Sequence, residues 1–137
     1  MLLKWTQEGG GRGAAAPFDV VLSDSTIVQP DIAYVGQARR DLVKDRAEGA
    51  PDLAIEIVSQ SHAARDRVHK LALYAEHGVP EYWIVDPAER VIEFLLLDGD
   101  RYKVEPLTSD SYQSPRLPEI SIDLPAFWAD VEKLVNG

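Results

Sequence analysis

The run from Asp52 through Leu53, Ala54 and Ile55 to Glu56 reads as a buried strand, yet it carries a carboxylate at each end. A helical pattern bearing Asp66, Lys70 and Tyr74 follows it. Ionised carboxylates are costly to bury unless a cation or hydrogen-bond donors compensate them. Acids paired across a sheet can hold a divalent cation. Asp52 and Glu56 share one face of the strand, but four residues at about 3.3 Å each set them about 13 Å apart. They cannot ligate one ion directly, so Glu56 needs a carboxylate from another strand. Asp31 is the best candidate, because Pro30-Asp31 opens the preceding strand and neighbouring strands run about 4.8 Å apart. Mg²⁺ suits such a pair, since it takes few carboxylates and keeps waters for chemistry. A lysine close by would orient or activate an attacking water and offset developing negative charge. The plainer alternatives are that Glu56 is a hydrogen-bonded structural acid and that Pro30-Asp31 merely starts a strand.

Elements that would position these groups can be read from the pattern. Residues 18–24 and 25–35 are β-rich, the second run broken by Pro30 and therefore expected at an edge or a bulge. Residues 36–51 read as polar loop and 52–59 as a third strand. Ser59 or Ser61 would cap a helix that Gly78 closes. Leu71 and Tyr74 should pack on the sheet with Val68 and Ala75 beside them, while Arg65, His69 and Glu76 form a polar arc. Lys70 falls on the flank next to Tyr74. Residues 80–86 form a fourth strand, and 90–98 and 101–107 a hairpin around Gly99-Asp100. A short strand and a last helix, with Pro125 in its first turn, complete the pattern. Tyr82, Trp83, Phe94 and Trp128 are expected in the core. The order predicts a mixed α/β sandwich with a helix on at least one sheet face. Residues 1–17, with the glycine and alanine tract from Gly9 to Ala16, read as a flexible segment before a single domain over 18–137.

The 137 residues suffice for one domain with a genuine core. The chain has no cysteine, which excludes disulfides and thiolate metal sites and fits a reducing cytoplasm. No apolar run approaches the roughly 20 residues that span a bilayer. A net charge of −9 argues against binding nucleic acid by bulk electrostatics. The charge is uneven: residues 37–70 hold seven Lys or Arg against six Asp or Glu, and the remainder seven against seventeen. A polyanion would therefore approach near 37–70.

Four stretches, "QPDIAYV", "APDLAIEIVSQS", "RDRVHKLALY" and "HGVPEYWIVDP", together resemble the successive motifs of the Uma-two family of restriction endonucleases, within the PD-(D/E)XK nuclease superfamily. The resemblance spans residues 18–128. It implies a restriction-endonuclease-like mixed sheet with flanking helices and a metal-dependent hydrolysis of DNA phosphodiesters. It implies that Asp31 and Glu56 hold Mg²⁺ or Mn²⁺, with the Ile57 carbonyl as a further ligand. The lysine that the superfamily carries on the strand is replaced here by Val58, and the resemblance moves that role to Lys70 on the following helix. Asp52, Asp66 and Tyr74 match motif positions and are expected to support the site. Compared with the family pattern, the chain reads as shortened at its amino terminus, with "LLKWTQ" as the tail of a first long helix. A homodimer is then the expected way to cover the exposed edge, and a catalytically inactive, dimerising or partner-binding module is the alternative to an enzyme.

Overall fold

The computed structural model describes residues 1–58 and 64–136, of which 64–66, 135 and 136 are described by backbone alone. Helix α1 covers Leu2–Gly9, followed by strands β1 (Arg12–Ala15), β2 (Val20–Ser23), β3 (Thr26–Val28) and β4 (Ile32–Val35). After a 3-10 helix at Gln37–Leu42 come β5 (Leu53–Ile57), α2 (Ala64–Glu76), β6 (Glu81–Asp86), β7 (Val91–Asp98) and β8 (Arg101–Val104). Strands β9 (Ser111–Gln113) and β10 (Ser121–Asp123) lead into α3 (Leu124–Asn136).

The main sheet has the order β1-β4-β5-β6-β7-β8. Only β5 and β6 run parallel, joined by the α2 crossover that such a pair requires. Its neighbours on both sides pair antiparallel. This is a mixed sheet flanked by helices, the restriction-endonuclease-like fold.

Alternation along the central strands divides the core by sheet face. Leu53, Ile55, Trp83, Val85 and Phe94 face one side, where Trp5 of α1, Tyr112, Ile120 and Ile122 cover them, with Phe127 and Trp128 of α3 against that cluster. Ala54, Tyr82, Ile84 and Leu95 face the other, under Tyr74 of α2 and Val79. Glu56 follows the parity of Ala54 and so lies beneath α2. The β2–β3 hairpin packs beside it on Ala33 through Val20 and Val28.

Local chemistry accounts for the element ends. Gly78, at φ +74°, closes α2, and Val79 N–H bonds back to Tyr74 O at 3.0 Å. Asp123 Oδ1 accepts the Ala126 N–H at 3.0 Å and caps α3. The serines expected to cap α2, Ser59 and Ser61, lie outside the described residues.

Three features differ from the sequence reading. The glycine and alanine tract is no loose segment: Arg12–Ala15 is an edge strand paired with β4, and Trp5 is fully buried against Tyr34 and Trp83. Its glycines serve close packing. A Cβ on Gly9 would collide with the Glu119 carboxylate, and one on Gly11 with Val35 O and the Tyr34 hydroxyl. The β-rich stretch 25–35 divides at Gln29-Pro30-Asp31 into β3 and β4, which belong to different sheets. Val68, expected to help pack α2, is 66% exposed. At 100° per residue it lies about 120° around the helix from Tyr74, too far to reach the sheet. It lines instead an apolar groove of about 560 Å³ between α2 and β8, with Leu71, Tyr102 and Val104.

Candidate active site

Continuing the β4–β5 register by one residue beyond Ile32↔Ile55 sets Asp31 opposite Glu56. Asp31 Oδ2 accepts the backbone N–H of Ile57 at 2.6 Å, which fixes its carboxylate beside the end of β5. Glu56 pairs across β6 with Ile84, and Ile84 across β7 with Glu93. Asp31, Glu56, Ile84 and Glu93 thus form one row across four strands on the face beneath α2.

Donors from α2 answer the buried carboxylate of Glu56. Tyr74 donates its O–H to Oε1 at 2.8 Å, and Lys70 Nζ lies 3.3 Å from Oε2. Burial pushes the Glu56 carboxyl above its ordinary value. The Tyr74 hydrogen bond and the Lys70 charge pull it back, while the Asp31 charge pushes it further up. Burial and the neighbouring Glu56 raise the Tyr74 phenol in turn, so it stays a donor at neutral pH. This is the compensation that the buried acid demands: one ammonium and one phenol, both from the helix that follows its strand.

These groups border a cavity of about 140 Å³ lined by Gln29, Asp31, Glu56, Ile57, Val58, Arg67, Lys70 and Tyr82. The structure therefore brings together Asp31, Glu56, Ile57 and Lys70, with Tyr74 behind Glu56. It does not bring Asp52 to them. Asp52 is buried at the opposite end of β5, where Oδ2 accepts the Gly36 N–H at 2.7 Å and Oδ1 meets Arg39 at 3.3 Å and Arg116 at 3.5 Å. Sharing a strand face did not make it a neighbour of Glu56; it anchors the loop after β4 and the segment before β10. Asp66 lies in α2, with its side chain outside the described residues.

Two lining residues escaped the sequence reading. Gln29 precedes the Pro30-Asp31 step and donates to Asp19 Oδ1 at 2.7 Å. Arg67 lies three residues before Lys70 and seven before Tyr74, about 20° from Tyr74 around the helix. That spacing was its available signal.

The donor set fits a hard divalent cation of the Mg²⁺ type. It offers oxygen ligands from two carboxylates on adjacent strands, beside a cavity large enough for water, and Mg²⁺ takes one or two carboxylates while keeping several waters. Among the described residues no cluster of three or more His, Cys, Asp or Glu occurs, so the site supplies no all-protein cage.

The fold and this strand–helix site define a nuclease-like protein. Residues 1–132 match the family model Uma2, described as "Putative restriction endonuclease". The chain belongs to that family. Among solved structures it is similar to a protein from Anabaena variabilis described as a "putative nuclease belonging to DUF820", at 15% identity and a TM-score of 0.70. The match covers 93% of this chain and 75% of the other. A comparison with curated proteins found no match. Among the described residues no helix is long and apolar enough to cross a membrane.

Proposed function

We propose that the protein is a Mg²⁺- or Mn²⁺-dependent endonuclease that hydrolyses phosphodiester bonds of DNA. The observation carrying this reading is the Glu56 carboxylate, buried at a strand end, opposite Asp31 and beneath Lys70. Asp31 and Glu56 would hold the cation, with the Ile57 carbonyl alongside. The cation would supply Lewis-acid polarisation of the scissile phosphate and lower the pKa of a bound water. The chain's own groups do the rest. Lys70, held at the cavity by Glu56, donates to the attacking water and offsets charge developing on the phosphate. Tyr74 keeps Glu56 aimed into the cavity. Family membership supports DNA as the substrate, which would place the protein in the cytoplasm with it.

Plasmid nicking in Mg²⁺ or Mn²⁺ tests the reading. Wild type should convert supercoiled to open-circular DNA, and Glu56→Ala should not. Equal conversion by both proteins removes Glu56 from the chemistry.

The groove between α2 and β8 favours a second reading, a dimerising or partner-binding module without catalysis. Val68 and Val104 are both exposed there. Sedimentation of wild type against Val104→Glu distinguishes it: a homodimer formed through this face dissociates in the variant, and a monomeric wild type rules that interface out.

A further inference from the structure

Among the described residues lining the cavity, Arg67 is the cation that is not bonded to either proposed metal-holding acid. Its Nη2 donates to Glu93 Oε1 at 2.8 Å, and among the described residues Glu93 is its one hydrogen-bond partner. Arg67 nevertheless lines the cavity that Asp31, Glu56 and Lys70 border, as well as the α2–β8 groove where Glu93 lies. Glu93 lies two strands from Glu56 in the same row, about 10 Å away. The pair therefore stands beside the acids without neutralising them.

A phosphodiester entering this cavity meets two carboxylates, and Lys70 already serves one of them. An anion approaching such a wall needs a cation with donors to spare. A guanidinium has five N–H donors in a planar fork that matches phosphate oxygens two at a time. With one nitrogen on Glu93, the others remain to meet a phosphate. Helix geometry sets the direction: Arg67, Lys70 and Tyr74 form one stripe facing the sheet, so whatever fixes Tyr74 on Glu56 also fixes where Arg67 projects.

We propose that Arg67 binds a phosphate of the DNA backbone at this site, and that Glu93 is a positioning residue that holds its guanidinium at the cavity rim. The proposal rests on the nuclease reading and assigns a substrate contact within it.

The test is cleavage of a short DNA duplex in Mn²⁺ by wild type, Arg67→Ala, Arg67→Lys and Glu93→Gln, with KM followed from low to moderate salt. Arg67→Ala should raise KM about tenfold, as expected for loss of a charge-assisted hydrogen bond. It should also lower the slope of log KM against log salt by about one, because one phosphate contact is lost. Arg67→Lys keeps the charge and hence the slope, yet recovers only part of the affinity because it lacks the fork. Glu93→Gln retains an oxygen for the Arg67 N–H and should keep the slope. Mn²⁺ affinity, measured by calorimetry without DNA, should be unchanged in all three variants. Should Arg67→Ala fail to fold, the lysine variant decides: a raised KM with an intact slope supports the proposal. Wild-type KM and salt slope in Arg67→Ala, or an unchanged KM in Arg67→Lys where the alanine variant does not fold, overturns this assignment alone. A wild type that cleaves no DNA overturns the nuclease reading together with it.

Discussion

The Asp31 carboxylate accepts the Ile57 N–H at 2.6 Å, so the acid just before β4 is tied to the backbone of the residue that follows the acid on β5. This bond has two effects. It registers the leading end of β4 against the trailing end of β5, where the sheet ladder would otherwise fray. It also occupies one lone pair of Oδ2, so that in the proposed metal site Oδ1 would face the cation. The structural role and the proposed metal-holding role therefore fall on one side chain and can be separated by choice of substitution.

Asp31→Asn keeps an oxygen that can accept the Ile57 N–H but removes the charge. It should melt close to wild type while losing tenfold or more in Mn²⁺ affinity. Asp31→Ala removes both and should also lose about 1–2 kcal/mol of stability, as expected for a missing acceptor. Urea unfolding and Mn²⁺ calorimetry on the two variants check this. An alanine variant as stable as wild type would show that the bond does not hold the strand ends.

The sequence made the two acids legible because their surroundings are so apolar. A carboxylate inside Leu53–Ile57 demands a partner, and strand adjacency supplied Asp31. Trp83, Phe94 and Tyr82 were legible for the same reason, as large side chains in strands whose two faces are both covered. What pattern could not supply was long-range. Asp52 shares parity with Glu56, yet its partners Gly36 and Arg116 come from distant segments that no periodicity connects to it. Strand β1 was hidden because Gly13, Ala14 and Ala15 have weak strand preference, and pairing with β4 overrides it. Strand β9 was missed similarly: three residues within a serine-rich stretch carry no period, and Tyr112 is fixed by stacking on Phe94 at 3.9 Å between ring centres.

Tyr74 carries the second prediction. Its hydroxyl is the buried donor to Glu56 Oε1, and Phe in its place fills the same volume without the proton. Tyr74→Phe should lose about 1–3 kcal/mol at neutral pH, the range for an acceptor left buried without its donor. It should also move the Glu56 carboxyl further up, because that hydrogen bond holds it down. Equilibrium unfolding at pH 7 and at pH 4 measures both: the penalty should shrink at the lower pH, where Glu56 is protonated. An equal penalty at both values would disconnect the phenol from the charge on Glu56.

A different acid supplies a control. Glu81 is almost wholly buried at the start of β6, and Trp83 Nε1, Tyr112 O–H and Ser114 Oγ donate to it at 2.7, 2.8 and 2.7 Å. It ties β9 and the turn after it to the main sheet, away from the cavity. Glu81→Ala orphans three buried donors and should cost about 3 kcal/mol or more. Mn²⁺ affinity of the folded fraction should not change. Weakened Mn²⁺ binding with a native fold would mean that the two carboxylate sites communicate.

Stability should depend on pH through Glu56. Burial raises the Glu56 carboxyl above its ordinary value of 4.5 in the folded protein, whereas the unfolded chain keeps the ordinary value. Above pH 4.5 and up to the raised value, the folded state therefore holds more protons than the unfolded one. Stability then falls as pH rises through that window. The sign is opposite to that of a salt-bridged surface carboxylate, whose contribution is lost on acidification. Glu56→Gln has no proton to lose at this position, yet its amide oxygen can still accept from Tyr74 or Lys70. In chelator, the unfolding free energy of wild type minus that of Glu56→Gln should decline as pH rises above 4.5 and level off once the pH has passed the raised value. A divalent cation favours the ionised form, so Mn²⁺ should restore part of the difference at pH 7 in wild type and not in the variant. Urea titrations at four or five pH values, with and without Mn²⁺, measure both terms. A difference that stays flat with pH would mean that Lys70 and Tyr74 already offset the burial of this acid in full.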